Sequence, residues 1–164
     1  MTRLIPLSRG LSATIDECDY PLVAGRSWHA VPIRSNLGRY YARAGTGTLM
    51  HRVLMGLKLG DGLQVDHINM DGLDNRRVNL RVCTNAENHR NGKPLCGRKY
   101  KGCYRNSNIE GKQWVARIKH NQQTLTIGYY GTEIEAAMAY DVRALELGGE
   151  FARLNFPVES VARN

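Results

Sequence analysis

The chain opens with short apolar runs broken by turn residues. "LSATID" at 11–16, "SWHAVPI" at 27–33 and "RYYARAG" at 39–45 each alternate apolar and polar positions, the period of a half-buried strand. Between the first two, "CDYPLVAG" reads as a turn or a short helix. The period then changes: in "LMHRVLMGLKLG", residues 49–60, Leu49, Val53, Leu54 and Leu57 share a helical face and Gly60 supplies a stop. Strand-like runs return as "GLQVDHI" and "NLRVC", separated by the long polar turn "NMDGLDNRRV". Thr84 with Glu87 three residues on is a capping box, which predicts a helix beginning just after Thr84. Strand, loop, strand and helix thus follow within residues 63–91.

"HRNGKPLCGRKY", residues 89–100, has no apolar period and reads as a linker. Beyond it "KGCYR", "QWVARIK" and "QTLTIGYY" predict three strands, and "TEIEAAMAYDVRALELGG" a helix opened by a Thr132/Glu135 capping box and stopped at Gly148–Gly149. Alternation puts Trp114, Ala116 and Ile118 on one sheet face, against the alanines of that helix. Val115, Arg117 and Lys119 take the other face. The expected organisation is an N-terminal segment and ββα unit over 1–91, a basic linker over 92–99 and a second unit over 100–157.

Composition narrows the partner. At 164 residues the chain makes one ordinary domain or two small ones. It has no run of about 18 apolar residues and no secretory pattern, so an intracellular protein with no membrane partner is expected. Cys18, Cys83, Cys96 and Cys103 lack the paired spacing that grips zinc and are expected as free thiols. The net charge of +8 is concentrated: residues 89–119 hold nine Lys or Arg against one acid, with Tyr100, Tyr104 and Trp114 interleaved. That clustering favours a phosphate-backbone partner over a merely solvated linker.

Residues 66–91 carry the candidate chemistry. Phosphodiester hydrolysis needs a base for water, charge neutralisation on the phosphorus oxygens and help for the leaving oxygen. His67, with an ordinary pKa of about 6.5, suits the base. Asp66 and Asn88 offer the hard oxygen donors that magnesium or manganese prefers. Asn79 suits a loop brace, its amide satisfying backbone groups. His51, beside Arg52, suits either a phosphate contact or the capping of a core face.

"VDHIN…DNRRVNLRVCTNAEN" resembles the HNH endonuclease motif in its phage and intron homing and nicking branch, over about 40 residues from His51 to Asn91. The resemblance implies His67 as general base, Asn79 as loop brace, and Asp66 and Asn88 as ligands of magnesium or manganese, with no zinc. A second resemblance runs from "YKG" to "ARLNFP": with "GKQWVARIK" and "AAMAYDVRAL" it is similar to the plant Apetala or ethylene-response-factor DNA-binding domain. That family lays a three-stranded sheet in the major groove of double-stranded DNA. The matching positions are Lys101, Tyr104, Arg105, Lys112, Arg117, Lys119, Thr124 and Thr126. Along the DNA backbone, Arg90, Lys93, Arg98 and Lys99 of the linker are expected to join Arg52 and His51.

The fold class expected is α+β: a mixed N-terminal segment leading into a ββα-metal nuclease unit, then a three-stranded antiparallel sheet packed on one helix. The function implied is a metal-dependent, site-directed DNA endonuclease, acting as a monomer in the cytoplasm of a bacterial host or phage-infected cell. The alternative is a DNA-binding regulator whose nuclease motif has decayed. No chemistry is assigned to residues 1–50.

Overall fold

The computed structural model describes residues 1–33, 38–92, 94 and 97–157; the expectations for Lys93 and Cys96 lie outside them. The chain forms two compact units, Met1–Asn88 and His89–Asn164.

In the first unit β1 (Thr2–Pro6) pairs antiparallel with β2 (Ser12–Asp16). A short helix, α1 (Tyr20–Val23), leads to an antiparallel sheet in the order β3 (Trp28–Pro32), β4 (Tyr40–Ala44), β5 (Thr48–Leu49). Helix α2 (Met50–Leu54) follows, then the antiparallel pair β6 (Gln64–His67) and β7 (Leu80–Cys83), and α3 (Asn85–Arg90) begins beyond it. Alternate positions of the strands meet in one core: Ala13 and Ile15, Trp28, Ala42 and Ala44, Met50 and Leu54 from α2, and Val65 and Leu80 from the last pair. The buried Trp28 indole N–H donates to the Val23 carbonyl at 2.9 Å, so the ring is buried without an unsatisfied donor.

Two local features differ from the sequence expectation. Strand β1 was not anticipated; of its five residues only Ile5 is buried, too little alternation to register as a pattern. Helix α2 ends well before Gly60. Gly56 takes φ 70°, and Leu57 N–H turns back onto the Arg52 carbonyl at 2.9 Å, a glycine-dependent termination.

The long turn between β6 and β7 is clamped from the N-terminal side. Thr14 N–H donates to the Leu73 carbonyl at 2.8 Å and Asn75 N–H to the Thr14 carbonyl at 2.7 Å. Arg77 N–H meets the Asp16 carboxylate at 2.8 Å, and the Arg77 guanidinium pairs with buried Asp19. Residues 1–50, to which the sequence assigned no chemistry, therefore support the loop beside His67.

In the second unit β8 (Cys103–Arg105), β9 (Trp114–His120) and β10 (Gln123–Tyr130) form an antiparallel meander against α4 (Glu133–Gly148). Ala136 and Ala137 let the helix approach Ala116 and Cys103 closely, with Tyr100, Trp114, Ile127 and Tyr130 around them. Gly102, at φ 77°, lies where a Cβ would overlap the Tyr140 ring. Asn155 ties the end of the chain back: its backbone N–H donates to Asp141 at 2.8 Å, and its side chain accepts from Lys101 N–H at 2.6 Å. Both expected capping boxes form, Thr84 with Glu87 and Thr132 with Glu135. Among the described residues no helix is long and apolar enough to cross a membrane.

Candidate active site

Strand alternation separates the two faces of the β6–β7 pair. On one face Gln64 and Asp66 stand across from Cys83 and Arg81. Helix α3 adjoins this face, because Gln64 accepts from the Asn88 amide and donates to Asn85 Oδ1 at 3.1 Å. Asp66 and Asn88 therefore lie on the same side of the strand pair. Asp66 is buried, and its Oδ2 accepts from Arg81 Nε at 2.9 Å and Nη2 at 2.6 Å. Because Asn88 Nδ2 is directed at Gln64, its amide oxygen is turned away from that partner.

His67 projects to the opposite face, at the end of β6, and is buried. Tyr41 of β4 stacks on it at 5.7 Å between centroids and 27° between planes; His51 of α2 meets it edge-on at 4.9 Å. His67 Nε2 lies 3.5 Å from Asn75 Oδ1. Burial lowers the His67 pKa, against the opposing pull of Asn75 and of Asp66, Asp71 and Asp74, so the ring is neutral near pH 7. Burial, then His67 and Arg52, push His51 down to about 3.

Asn79 spans the loop: its Nδ2 donates to the Asp74 carbonyl at 2.7 Å and its Oδ1 accepts from Asn69 N–H at 2.9 Å. His51, which the sequence left between a phosphate contact and the capping of a core face, is a buried ring packed on His67 and Tyr41. Arg52 is likewise spent internally, on Asp61 at 3.0 Å and on the Lys58 and Leu63 carbonyls. The sequence missed Asn75, Tyr41 and His51 as neighbours of His67. Asn75 is fully buried in a stretch whose polarity reads as solvated loop, and Tyr41 lies in another sheet.

The oxygen donors fit a hard divalent cation. Among the described residues no cluster of three His, Cys, Asp or Glu side chains stands ready for a metal. Asp66 with the Asn88 amide is a two-donor set, the kind magnesium and manganese complete with water and substrate oxygens. Cys18, Cys83 and Cys103 are free thiols.

On the second unit, cross-strand pairing tests the outward face. Thr126 stands opposite Arg117, Thr124 opposite Lys119, and Tyr104 and Tyr129 flank Val115 on the same side. The Arg98 guanidinium lies 4.1 Å and that of Arg117 5.9 Å from the Tyr104 ring centroid. Two positions depart from expectation. Arg105 pairs with Trp114, its guanidinium 4.9 Å from the indole centroid, and so belongs to the other face. Lys101 is half-buried, its ammonium donates to the Arg90 carbonyl, and burial and Arg153 lower its pKa to about 8. Lys112 and Lys99 are exposed outside the strands, and Lys99 Nζ lies 5.1 Å from the Tyr100 ring.

Over 160 residues the chain is 29% identical to an uncharacterized HNH endonuclease of Acanthamoeba polyphaga mimivirus, across 93% of this chain and 79% of that protein. Residues 48–90, from β5 through α2 and the β6–β7 pair to α3, match the family model for HNH endonuclease, so the chain carries an HNH endonuclease-like domain.

Proposed function

We propose that this protein is a metal-dependent endonuclease that hydrolyses DNA phosphodiester bonds at directed sites, as a homing or nicking enzyme. One observation carries this reading: a neutral buried histidine ends a β-hairpin whose other face brings a carboxylate and a side-chain amide under a capped helix. His67 takes a proton from water as the oxygen attacks phosphorus; the bond to the departing 3′ oxygen breaks and that oxygen leaves protonated by solvent. Asp66 and Asn88 are the residues that would hold magnesium or manganese. The ion, when bound, neutralises charge on the phosphate and the leaving oxygen. Asn79 keeps the loop after His67 in shape.

The outward face of the second unit supplies the address on double-stranded DNA. Arg117 and Lys119, with Tyr104, Thr124 and Thr126, share that face, and Arg98 lies against Tyr104. This is the surface that an Apetala-like sheet would lay in the major groove, with the phosphates met by its basic side chains.

A regulator with a silent nuclease motif is the second reading, favoured by the Arg81 guanidinium that engages the Asp66 carboxylate. Plasmid conversion by the whole protein with magnesium, with manganese and with chelator distinguishes them. Metal-dependent nicking, reduced about 10²- to 10⁴-fold in His67→Ala with DNA binding kept, is expected. DNA binding without nicking under either metal would establish the regulator.

A further inference from the structure

The Asn75 side chain is oriented by its neighbours. Its Nδ2 donates to the Gly72 carbonyl at 3.4 Å, and exchanging the amide atoms would set two acceptor oxygens against each other. Its Oδ1 therefore faces His67 Nε2 at 3.5 Å, and a carbonyl oxygen only accepts. A hydrogen on His67 Nε2 would meet this acceptor, and in that tautomer Nδ1 is the nitrogen with the lone pair. Asn75 cannot drift, because it is fully buried and its backbone N–H is bonded to the Thr14 carbonyl at 2.7 Å.

The plane of the ring is set from another direction. Tyr41 lies along one face of the imidazole, while the edge-on ring of His51 packs against both His67 and Tyr41. Gly72 completes the arrangement, since a Cβ there would stand 2.5 Å from Tyr41 Cδ1. Tyr41 precedes the segment that matches the HNH family model.

We propose that Asn75 and Tyr41 are positioning residues for His67: the Asn75 amide selects the Nε2–H tautomer, so that Nδ1 receives the proton from water, and the Tyr41 ring fixes the plane in which it does so. The assignment rests on His67 being the general base. It makes the N-terminal strands part of the catalytic apparatus, since β2 holds Asn75 and β4 presents Tyr41.

The test is long-range proton–nitrogen NMR of the histidine rings in the whole metal-free protein, with His67 assigned by His67→Gln, alongside single-turnover DNA cleavage and DNA affinity. Wild type and Tyr41→Phe should show one Nε2–H tautomer at His67, and the phenyl ring of Tyr41→Phe should restore cleavage relative to Tyr41→Leu. Asn75→Ala should show mixed tautomers. Both it and Tyr41→Leu should lose about 10²-fold in the cleavage step with DNA affinity kept, and Asn75→Asp, which keeps an acceptor, should restore the Nε2–H form. Should Asn75→Ala fail to fold, the wild-type spectrum still decides: an Nδ1–H tautomer there overturns the proposal. Cleavage in folded Tyr41→Leu equal to wild type overturns the role of Tyr41. If the wild type cuts no DNA with either metal, the endonuclease reading fails and the catalytic part of the proposal with it, while the spectra still report whether Asn75 and Tyr41 order the ring.

Discussion

Asp19 and Arg77, 58 residues apart in sequence, meet in a forked ion pair, with Arg77 Nε at 3.0 and 2.9 Å from the two carboxylate oxygens and Nη2 at 2.8 Å from Oδ1. The carboxylate is buried and the guanidinium half-exposed. Removing the arginine leaves a buried charge unpaired, but solvent at the exposed end moderates the cost. Arg77→Ala should destabilise the first unit by about 2 kcal/mol, read as a lower urea midpoint with unchanged slope. Because the same contacts hold the loop, a fragment reduced to residues 48–90 should lack cooperative unfolding; a sharp transition in that fragment would show that the N-terminal strands are dispensable.

Gly72→Ala tests the close approach of loop and ring. A methyl group at that site must displace Tyr41 or the loop, an overpacking that should cost about 1–3 kcal/mol. Cleavage should fall more steeply than stability, since the displaced groups touch His67. Equal activity in the folded variant would mean that the loop has room to yield.

Acid should weaken the first unit through its histidines. His51 has a folded pKa of about 3 against an ordinary 6.5, so as the pH falls the unfolded chain takes up the proton first. The stability associated with a neutral His51 is complete above about pH 6.5 and is lost as pH falls towards 3, and His67 shifts in the same direction. Urea midpoints between these limits should rise with pH, and His51→Phe should flatten the dependence. An unaltered pH slope in that variant would place the titration elsewhere.

Asn88→Ala removes a proposed ligand while leaving His67 and Asp66 in place. Cleavage in magnesium should fall and recover in part with excess manganese, which binds nitrogen and oxygen sites more strongly. Titration of each metal against cleavage rate measures this. The same phenotype in His89→Ala, with Asn88→Ala like wild type, would move the ligand by one residue along α3.

Arg117→Ala with Lys119→Ala should weaken binding to duplex DNA while sparing the fold, because neither side chain belongs to the apolar core on the helix side. The slope of log affinity against log salt should shrink by about 0.9 for every phosphate that the variant no longer neutralises. Lys101→Met provides the contrast: its ammonium is engaged with the Arg90 carbonyl, so the slope should remain that of wild type. A folded double variant with wild-type affinity and slope would take this face away from DNA.

The order β6, β7, α3 and the meander followed by α4 were legible along the chain because they rest on local rules. Side chains alternate in a strand, and Thr84/Glu87 and Thr132/Glu135 close capping boxes within a single turn. The roles of Asp66, His67, Asn79 and Asn88 were named from local chemistry and motif resemblance, and the separation of Arg117 and Lys119 from Ala116 followed from alternation alone. Tertiary structure decided what surrounds His67. Tyr41, His51 and Asn75 reach it from a different sheet, a helix and a loop, and no spacing in sequence encodes such a meeting. It also decided that Arg52 and Lys101 serve the fold. Whether a cation points into solvent or folds back onto a carbonyl depends on which backbone groups the packed chain leaves within its reach.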